Sequence, residues 1–314
     1  MRLLIVATVV VCALGFVASP CLAGYLVAWG YSAYDQCQVP AGNDFVAASA
    51  GGNHCLALGS NGTIAAWGLN DNGQCNAPSG GGFVAVSAGM DHSLALTTDG
   101  SIVAWGSNQY GQCNVPVGHD FVAISAGEWY SVALRRDGSL VAWGRNDVGE
   151  CNVPNGFGYT SISHTFRHAA AIKADGSMDL WGWNICGQCN GQPGSTFAAA
   201  AGGWYHTLAL TSDGRLSAWG GNFYGECNVP AGNNYTAVAA GFEFSLALRS
   251  DGTVAAFGSN TYGGCNAPSG RFAAISAGYL HSVAITAPIP EPSSFLALLC
   301  GLGGVSGLVK RKRG

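Results

Sequence analysis

Twelve cysteines and seven histidines in 314 residues call for a search for thiol, metal or acid–base chemistry. Seven of the cysteines (Cys37, Cys75, Cys113, Cys151, Cys189, Cys227, Cys265) recur every 38 residues. If each interval is one sheet stacked on the next, equivalent atoms lie ~10 Å apart. A disulfide needs Cβ atoms about 3.5–4.5 Å apart, so the series cannot cross-link itself. It reads instead as a small buried residue at the edge of each unit. Cys186 and Cys189 form a C-x-x-C without a second pair, which argues against zinc and for a local disulfide. His54, His92, His168, His206 and His281 share one register, where Tyr130 and Phe244 replace them. A position that accepts Phe cannot depend on proton transfer, so the series reads as packing and hydrogen bonding. Asp99, Asp137, Asp175, Asp213 and Asp251 each precede glycine and read as turn residues. No repeat carries an asymmetric set of nucleophile, base and orienting group. The expectation is therefore no enzyme: no catalytic residues, no metal and no cofactor.

The same interval governs the large apolar residues: Trp29, Trp67, Trp105, Trp143, Trp181, Trp219 and Phe257 are spaced by 38. Each unit holds three short β-prone runs, such as 121–125 (A), 131–134 (B) and 140–143 (C), separated by Gly and Asn turns. The Asp-Gly pair between B and C predicts a two-residue hairpin loop with positive φ tolerated at both positions. Cys-Asn-Val-Pro after C ends in a proline suited to an edge, so any fourth strand is short. One such unit cannot bury its apolar face alone and must stack on neighbours. The chain supplies seven A–B pairs and seven C runs, but it opens on a C run and closes on an A–B pair. That phase suits a closed ring, in which the last unit is stitched from both ends and no sheet edge stays free. The predicted fold is all-β: a seven-bladed β-propeller over residues 24–287, with short, mainly three-stranded blades, closed by pairing the N- and C-terminal strands.

Antiparallel strands reverse at each turn, so A–B loops and post-C loops project from one face and Asp-Gly turns from the other. The first face is the variable one. Its A–B loops carry Trp129, Phe166, Arg167, Trp204, Tyr205 and Phe242, and its post-C loops carry Tyr110, Phe223, Tyr224 and Tyr262. Rings at variable loop positions suit a recognition surface for a protein or a polysaccharide. The alternative is that they pack only against one another.

The two ends differ from the repeats. Residues 1–23 read as a secretory signal peptide, with Arg2 before an apolar run and Cys21-Leu22-Ala23 as the cleavage site. Residues 288–314 contain Pro290-Glu291-Pro292, an apolar run and the basic Lys310-Arg311-Lys312-Arg313. The basic cluster favours the cytoplasmic side, so the tail holds an exported body at the membrane. Setting aside Arg2, the four tail cations and Glu291, 8 basic and 16 acidic residues remain, a body charge of −8. Such a body repels phosphate backbones, which excludes nucleic acid as a partner.

The tail resembles the PEP-CTERM sorting signal of bacterial envelope proteins. That resemblance implies processing by an exosortase near Pro290, Glu291 and Pro292, and a final place at the cell surface or in the extracellular matrix. The repeats resemble the RCC1 type in Ala88-Gly89-Met90-Asp91-His92-Ser93-Leu94-Ala95-Leu96 and in Ala104-Trp105-Gly106 followed by Asn108. Their short period and the Trp-Gly-x-Asn-x-x-Gly-Gln-x-x-Val-Pro run are closer to the bacterial β-lactamase-inhibitor propeller. The resemblance implies a binding or scaffold module, or alternatively an inhibitor of a periplasmic or secreted enzyme. A guanine-nucleotide exchange factor fits less well, because RCC1 repeats of that kind are longer and the chain carries export signals.

Overall fold

The computed structural model describes residues 24–164 and 166–287. The signal-peptide and sorting-tail segments, including Pro290, Glu291 and Pro292, lie outside the described residues. Seven three-stranded antiparallel sheets make up this region, and no helix occurs among the described residues. Blade 1 runs from an inner strand (Phe45–Ala50) through a middle strand (His54–Gly59) to an outer strand (Ile64–Gly68). Blades 2 to 6 repeat this order along the chain. Blade 7 takes its inner strand from Phe272–Ala277, its middle strand from His281–Thr286 and its outer strand from Leu26–Gly30. Leu26 pairs with Ile285 and Trp29 with Ser282 across that junction. Closure therefore comes from main-chain pairing of the two ends, as the phase of the repeats requires.

The Leu-Ala-Leu pattern of the middle strands explains why the blades stack. A middle strand is buried on both faces, with Leu56, Ala57 and Leu58 all nearly inaccessible. Leu56 and Leu58 point toward the next blade, where they meet Phe83, Val86 and Ala95. Leu94 and Leu96 repeat the move against Phe121, Ile124 and Ala133. Large side chains on one face thus meet small ones on the facing sheet, the interdigitation that fills a dry interface. Each inner strand carries a register shift after its first residue, as between Phe45 and Ala47, and the bulge sharpens the local twist. The inner strands surround a central channel, with a cavity of about 110 Å³ lined in part by Ser49, Ser87, Ser125 and Ile124.

Two local expectations are corrected. The Asp-Gly loops are not two-residue turns with both positions at positive φ. Gly138 has φ of 83°, whereas Asp137 is not left-handed. Gly138 N–H donates to Arg135 O and Arg135 N–H to Ser139 O, closing a three-residue loop with the glycine as its left-handed member. Asp137 is better used there as an acceptor, for Ser139 N–H at 2.9 Å and the Ser139 hydroxyl at 2.7 Å. The Cys186–Cys189 disulfide is also absent, both thiols being free. Cys189 turns inward to donate to Trp183 O at 3.3 Å, while Cys186 occupies a variable loop position that is outward-facing in the other blades.

Candidate recognition face

A rigid frame holds the variable loops, and it is built from residues at fixed register. In blade 1, Asn70 Oδ1 accepts from Cys75 N–H at 2.8 Å, and its Nδ2 donates to Asn76 Oδ1 at 3.0 Å. Gln74 Oε1 accepts from Asn72 N–H at 2.9 Å, so the loop closes over a buried amide. The Cys75 thiol donates to Leu69 O at 3.3 Å. Burial raises that thiol to about 11, which keeps it a neutral donor and not a nucleophile. The same arrangement recurs at Cys113, Cys151, Cys189, Cys227 and Cys265.

The frame also latches one blade to the next. Gln74 O accepts from Trp105 Nε1 at 2.8 Å and from the Ser93 hydroxyl at 2.9 Å, both in blade 2. Because Ser93 spends its proton on Gln74, His54 must donate Nε2–H to Ser93 Oγ, 2.9 Å away. His54 is fully buried, and desolvation pushes it down to about 3, so it stays neutral. His92, His168 and His206 contact Ser131, Thr207 and Ser245 in the same way. The histidine series is thus a structural latch. Where Phe244 replaces histidine, the facing Ser282 hydroxyl is buried without a partner. His281 closes the ring on Cys55 Sγ at 3.0 Å. Burial lowers that imidazole to about 4 and raises the Cys55 thiol well above its ordinary value, so both partners stay neutral. Gly89 shows how close the blades come. A Cβ there would lie 2.4 Å from His92 Cε1 and 2.7 Å from Gly127 O.

On this frame five of the nine predicted rings, Phe166, Trp204, Tyr205, Phe223 and Phe242, join one connected cluster. Phe166, Trp204 and Phe242 come from the A–B loops of three successive blades, with ring centroids 5.1 Å and 5.0 Å apart. Tyr279 of blade 7 joins them, 4.6 Å from Phe242 and 5.6 Å from Phe166. Tyr205 carries the cluster outward to Phe223 at 5.8 Å and to Trp183 at 5.3 Å. The rings divide by position. The A–B rings are half-buried against one another, whereas the post-C rings Tyr110, Phe223, Tyr224 and Tyr262 face solvent, Phe223 at 67% exposure. Tyr110 and Trp129 lie apart from the main cluster, 5.5 Å from each other, under the Arg145 guanidinium. Tyr262 stacks edge-on against Tyr31 at 5.6 Å.

Arg167 is the charged hub. It lies 3.4 Å from Glu128 Oε2 and 3.3 Å from Glu150 Oε1, and its guanidinium sits 5.5 Å from the Trp183 ring. Glu128 is 4% exposed and shares the mouth of the channel with Phe166 and Met90. Burial raises its carboxyl to about 7, against the pull of Arg167 and Arg145, with Glu150 and Asp91 adding to the rise. Sequence reasoning left Glu128, Trp183 and Tyr279 out of the site. Glu128 sat beside Trp129 in a variable pair, and Trp183 falls outside those pairs. Tyr279 is displaced by one residue because the chain is shorter between Cys265 and Phe272. The recurring Gln36, Gln74, Gln112, Glu150, Gln188 and Glu226 occupy the Gln position of the Trp-Gly-x-Asn-x-x-Gly-Gln run, but their role in closing the loops was not read from their 38-residue spacing. Among the described residues no group of three or more His, Cys, Asp or Glu side chains can hold a metal ion.

The repeats match the family model for the regulator of chromosome condensation (RCC1) repeat at residues 45–74, 83–112, 121–150, 197–226 and 235–263. Blades 4 and 7 fall outside these matches; in blade 4 the Ala-Gly step is replaced by His164-Thr165. Among solved structures, Prp20p from Saccharomyces cerevisiae, described with its binding properties to Gsp1p and histones, aligns with a TM-score of 0.74 at 17% identity. That alignment covers 92% of this chain and 96% of Prp20p. Human WBSCR16 aligns with a TM-score of 0.70 at 18% identity over 83% of this chain and 99% of its own. The ectodomain of the Physcomitrella patens receptor kinase CR4 aligns at 0.63 and 23% identity, over 74% and 68% of the two chains. A search of curated proteins gives no match. The chain carries RCC1 repeats, and its described residues adopt an RCC1-like propeller fold.

Proposed function

We propose that this RCC1-like propeller is an exported, non-catalytic binding module that engages a protein or polysaccharide ligand through its aromatic loop face. One observation carries the reading. Seven rings from four blades, Phe166, Trp183, Trp204, Tyr205, Phe223, Phe242 and Tyr279, join into a single cluster on the face whose loops vary. The opposite face repeats the same small turns. Large, stiff rings give much contact area for little lost freedom, which is why they anchor recognition surfaces. The neutral, buried thiols and imidazoles leave the recurring chemistry-bearing residues in structural roles.

The test is ligand capture by glycan array and by pull-down of surface proteins, using the wild type and a Trp204→Ala, Tyr205→Ala, Phe223→Ala, Tyr224→Ala variant. The reading expects the variant to lose the captured ligand, and undiminished capture would overturn it. Export and sorting belong to the same proposal. Mass spectrometry of the protein from its host should find an N-terminus near Gly24 and a C-terminus near Pro290-Glu291-Pro292. An unprocessed chain would remove the surface assignment while leaving the binding face to be judged separately.

A further inference from the structure

The body charge of −8 is unevenly divided between the two faces. Eight of its sixteen carboxylates stand in the A–B and post-C loops. Asp35, Asp71 and Asp147 are exposed in post-C loops, and Asp91, Glu128 and Glu243 stand in A–B loops, with Glu150 and Glu226 buried beneath them. Only two of the eight cations, Arg145 and Arg167, share this face. The loop face therefore carries −6, whereas the turn face, with six cations, carries −2. The excess is uncompensated where it matters. Arg167 is shared among Glu128, Glu150 and Asp147, and Arg145 also spends its charge on Asp147. Asp91 and Glu243 have their carboxyls pushed up by burial first; a hydrogen bond from Trp129 offsets part of the rise at Asp91, and the neighbouring acids Asp71 and Glu226 add to it at Asp91 and Glu243 respectively. Each would gain from an incoming positive charge.

Resting on the reading of this face as a binding surface, we propose that its partner is a cationic polypeptide segment. One lysine or arginine of that segment seats at the mouth of the central channel, which Glu128 and Phe166 line together. Three features converge there. Glu128 is nearly buried beside Arg167, so a second cation seated there acts at low local dielectric and draws its carboxyl toward the ionised form. The neighbouring rings offer π-faces to an ammonium or guanidinium. The surrounding acids steer a basic partner and repel anionic glycans, nucleic acids and anionic lipid headgroups. A neutral polysaccharide would stack on the rings but would draw nothing from the −6 charge.

The probe is decalysine, titrated against the full chain by tryptophan fluorescence, with decaglutamate and cellohexaose as counter-probes. Decalysine is expected to bind at low salt and to weaken steeply as salt is raised. An Asp71→Asn, Asp91→Asn, Glu243→Gln variant should bind roughly tenfold more weakly or worse, and Glu128→Gln several-fold more weakly. A turn-face variant, Asp137→Asn with Asp213→Asn, should change affinity by less than about twofold. Failure of decalysine to bind at low salt would overturn the proposal, as would equal losses from loop-face and turn-face neutralisation. If cellohexaose binds and only the aromatic variant abolishes it, the cationic partner is wrong while the binding face stands. If the aromatic variant leaves every ligand bound, the face itself is wrong.

Discussion

The loop face and the turn face come from the same 38-residue unit, yet they use their polar groups in opposite ways. On the turn face the aspartates are consumed locally. Asp137, Asp175 and Asp251 each accept from the backbone and the hydroxyl of the residue two positions on. Those bonds to the ionised form hold all three carboxyls below the ordinary range. On the loop face the carboxyls of Asp91, Glu128 and Glu243 are instead raised by burial. One face has satisfied its charge within each turn, and the other holds charge in reserve beside a cluster of rings. Between them lies a frame of Trp, His, Ser and Gln contacts that serves both. The comparison teaches that the repeat fixes the frame and the turns, and leaves freedom only in the side chains of two residues per loop, whose backbones are held by hydrogen bonds.

Removing a frame residue should break the comparison most completely, since neither face survives without the blade. Trp143 is 9% exposed and donates Nε1–H to Gln112 O at 2.8 Å. Trp143→Ala leaves a cavity and removes one of the two hydrogen bonds that Gln112 O accepts, at a cost of about 3–5 kcal/mol. Chemical denaturation should show the midpoint falling by that amount, and a change under ~1 kcal/mol would mean that the latch is not structural.

Glu128 provides the next largest effect and separates the faces by pH. Its folded-state carboxyl titrates at about 7, above the ordinary value of 4.5. Between those values the folded protein holds a proton that the unfolded chain has released. The stabilising contribution is thus complete below about 4.5 and lost as pH rises through about 7. Glu128→Gln keeps the shape of the protonated form and has no such loss. At pH 8 the variant should be more stable than the wild type, on the order of 1–3 kcal/mol, and at pH 4 the two should coincide. Thermal unfolding at the two pH values decides it. A constant difference would show that the carboxyl is already ionised throughout, held so by Arg167.

The frame was largely legible in the sequence and the site only in part, for one physical reason. Seven-fold recurrence amplifies any residue whose role is structural: Trp29 and its equivalents, the cysteines, the histidines and the split blade could all be read by spacing. Recognition residues differ from blade to blade, so they appear only as positions where the pattern fails. That located Trp204, Tyr205 and Phe242 but could not say which rings would touch. It also passed over Trp183, which occupies a position that is Leu69, Ser107 or Gly221 elsewhere. The Asp-Gly loop type was misread because Asp and Gly alone fit two turns. The residue after the glycine does not decide it, since Asp213-Gly214-Arg215 closes the same three-residue loop as Asp137-Gly138-Ser139; the strand register does. The cysteine pair was misread because sequence proximity says nothing of direction, and Cys189 is committed to the loop carbonyl.

On the turn face the expected effects are small and confined to stability. Asp137→Ala removes the acceptor for Ser139 N–H and its hydroxyl, and should lower stability slightly. Decalysine affinity should stay within about twofold of the wild type. A larger change in binding than in stability would show that the turn face takes part in recognition.

The smallest effect sharpens the comparison at a single backbone angle. Asp35 has φ of 62°, left-handed, at the loop position where the other blades place glycine, as at Gly73 with φ of 78° and Gly111 with φ of 81°. A non-glycine residue pays for that conformation, although Asp tolerates it better than most. Asp35→Gly relieves the strain but gives the unfolded chain more freedom, so the net gain should be under ~1 kcal/mol. The same substitution removes one exposed carboxylate from the loop face. Stability should therefore hold or rise slightly while decalysine binding falls slightly. The two readouts moving in opposite directions is the outcome that ties this residue to recognition, and a fall in both would mean that Asp35 holds its loop in place.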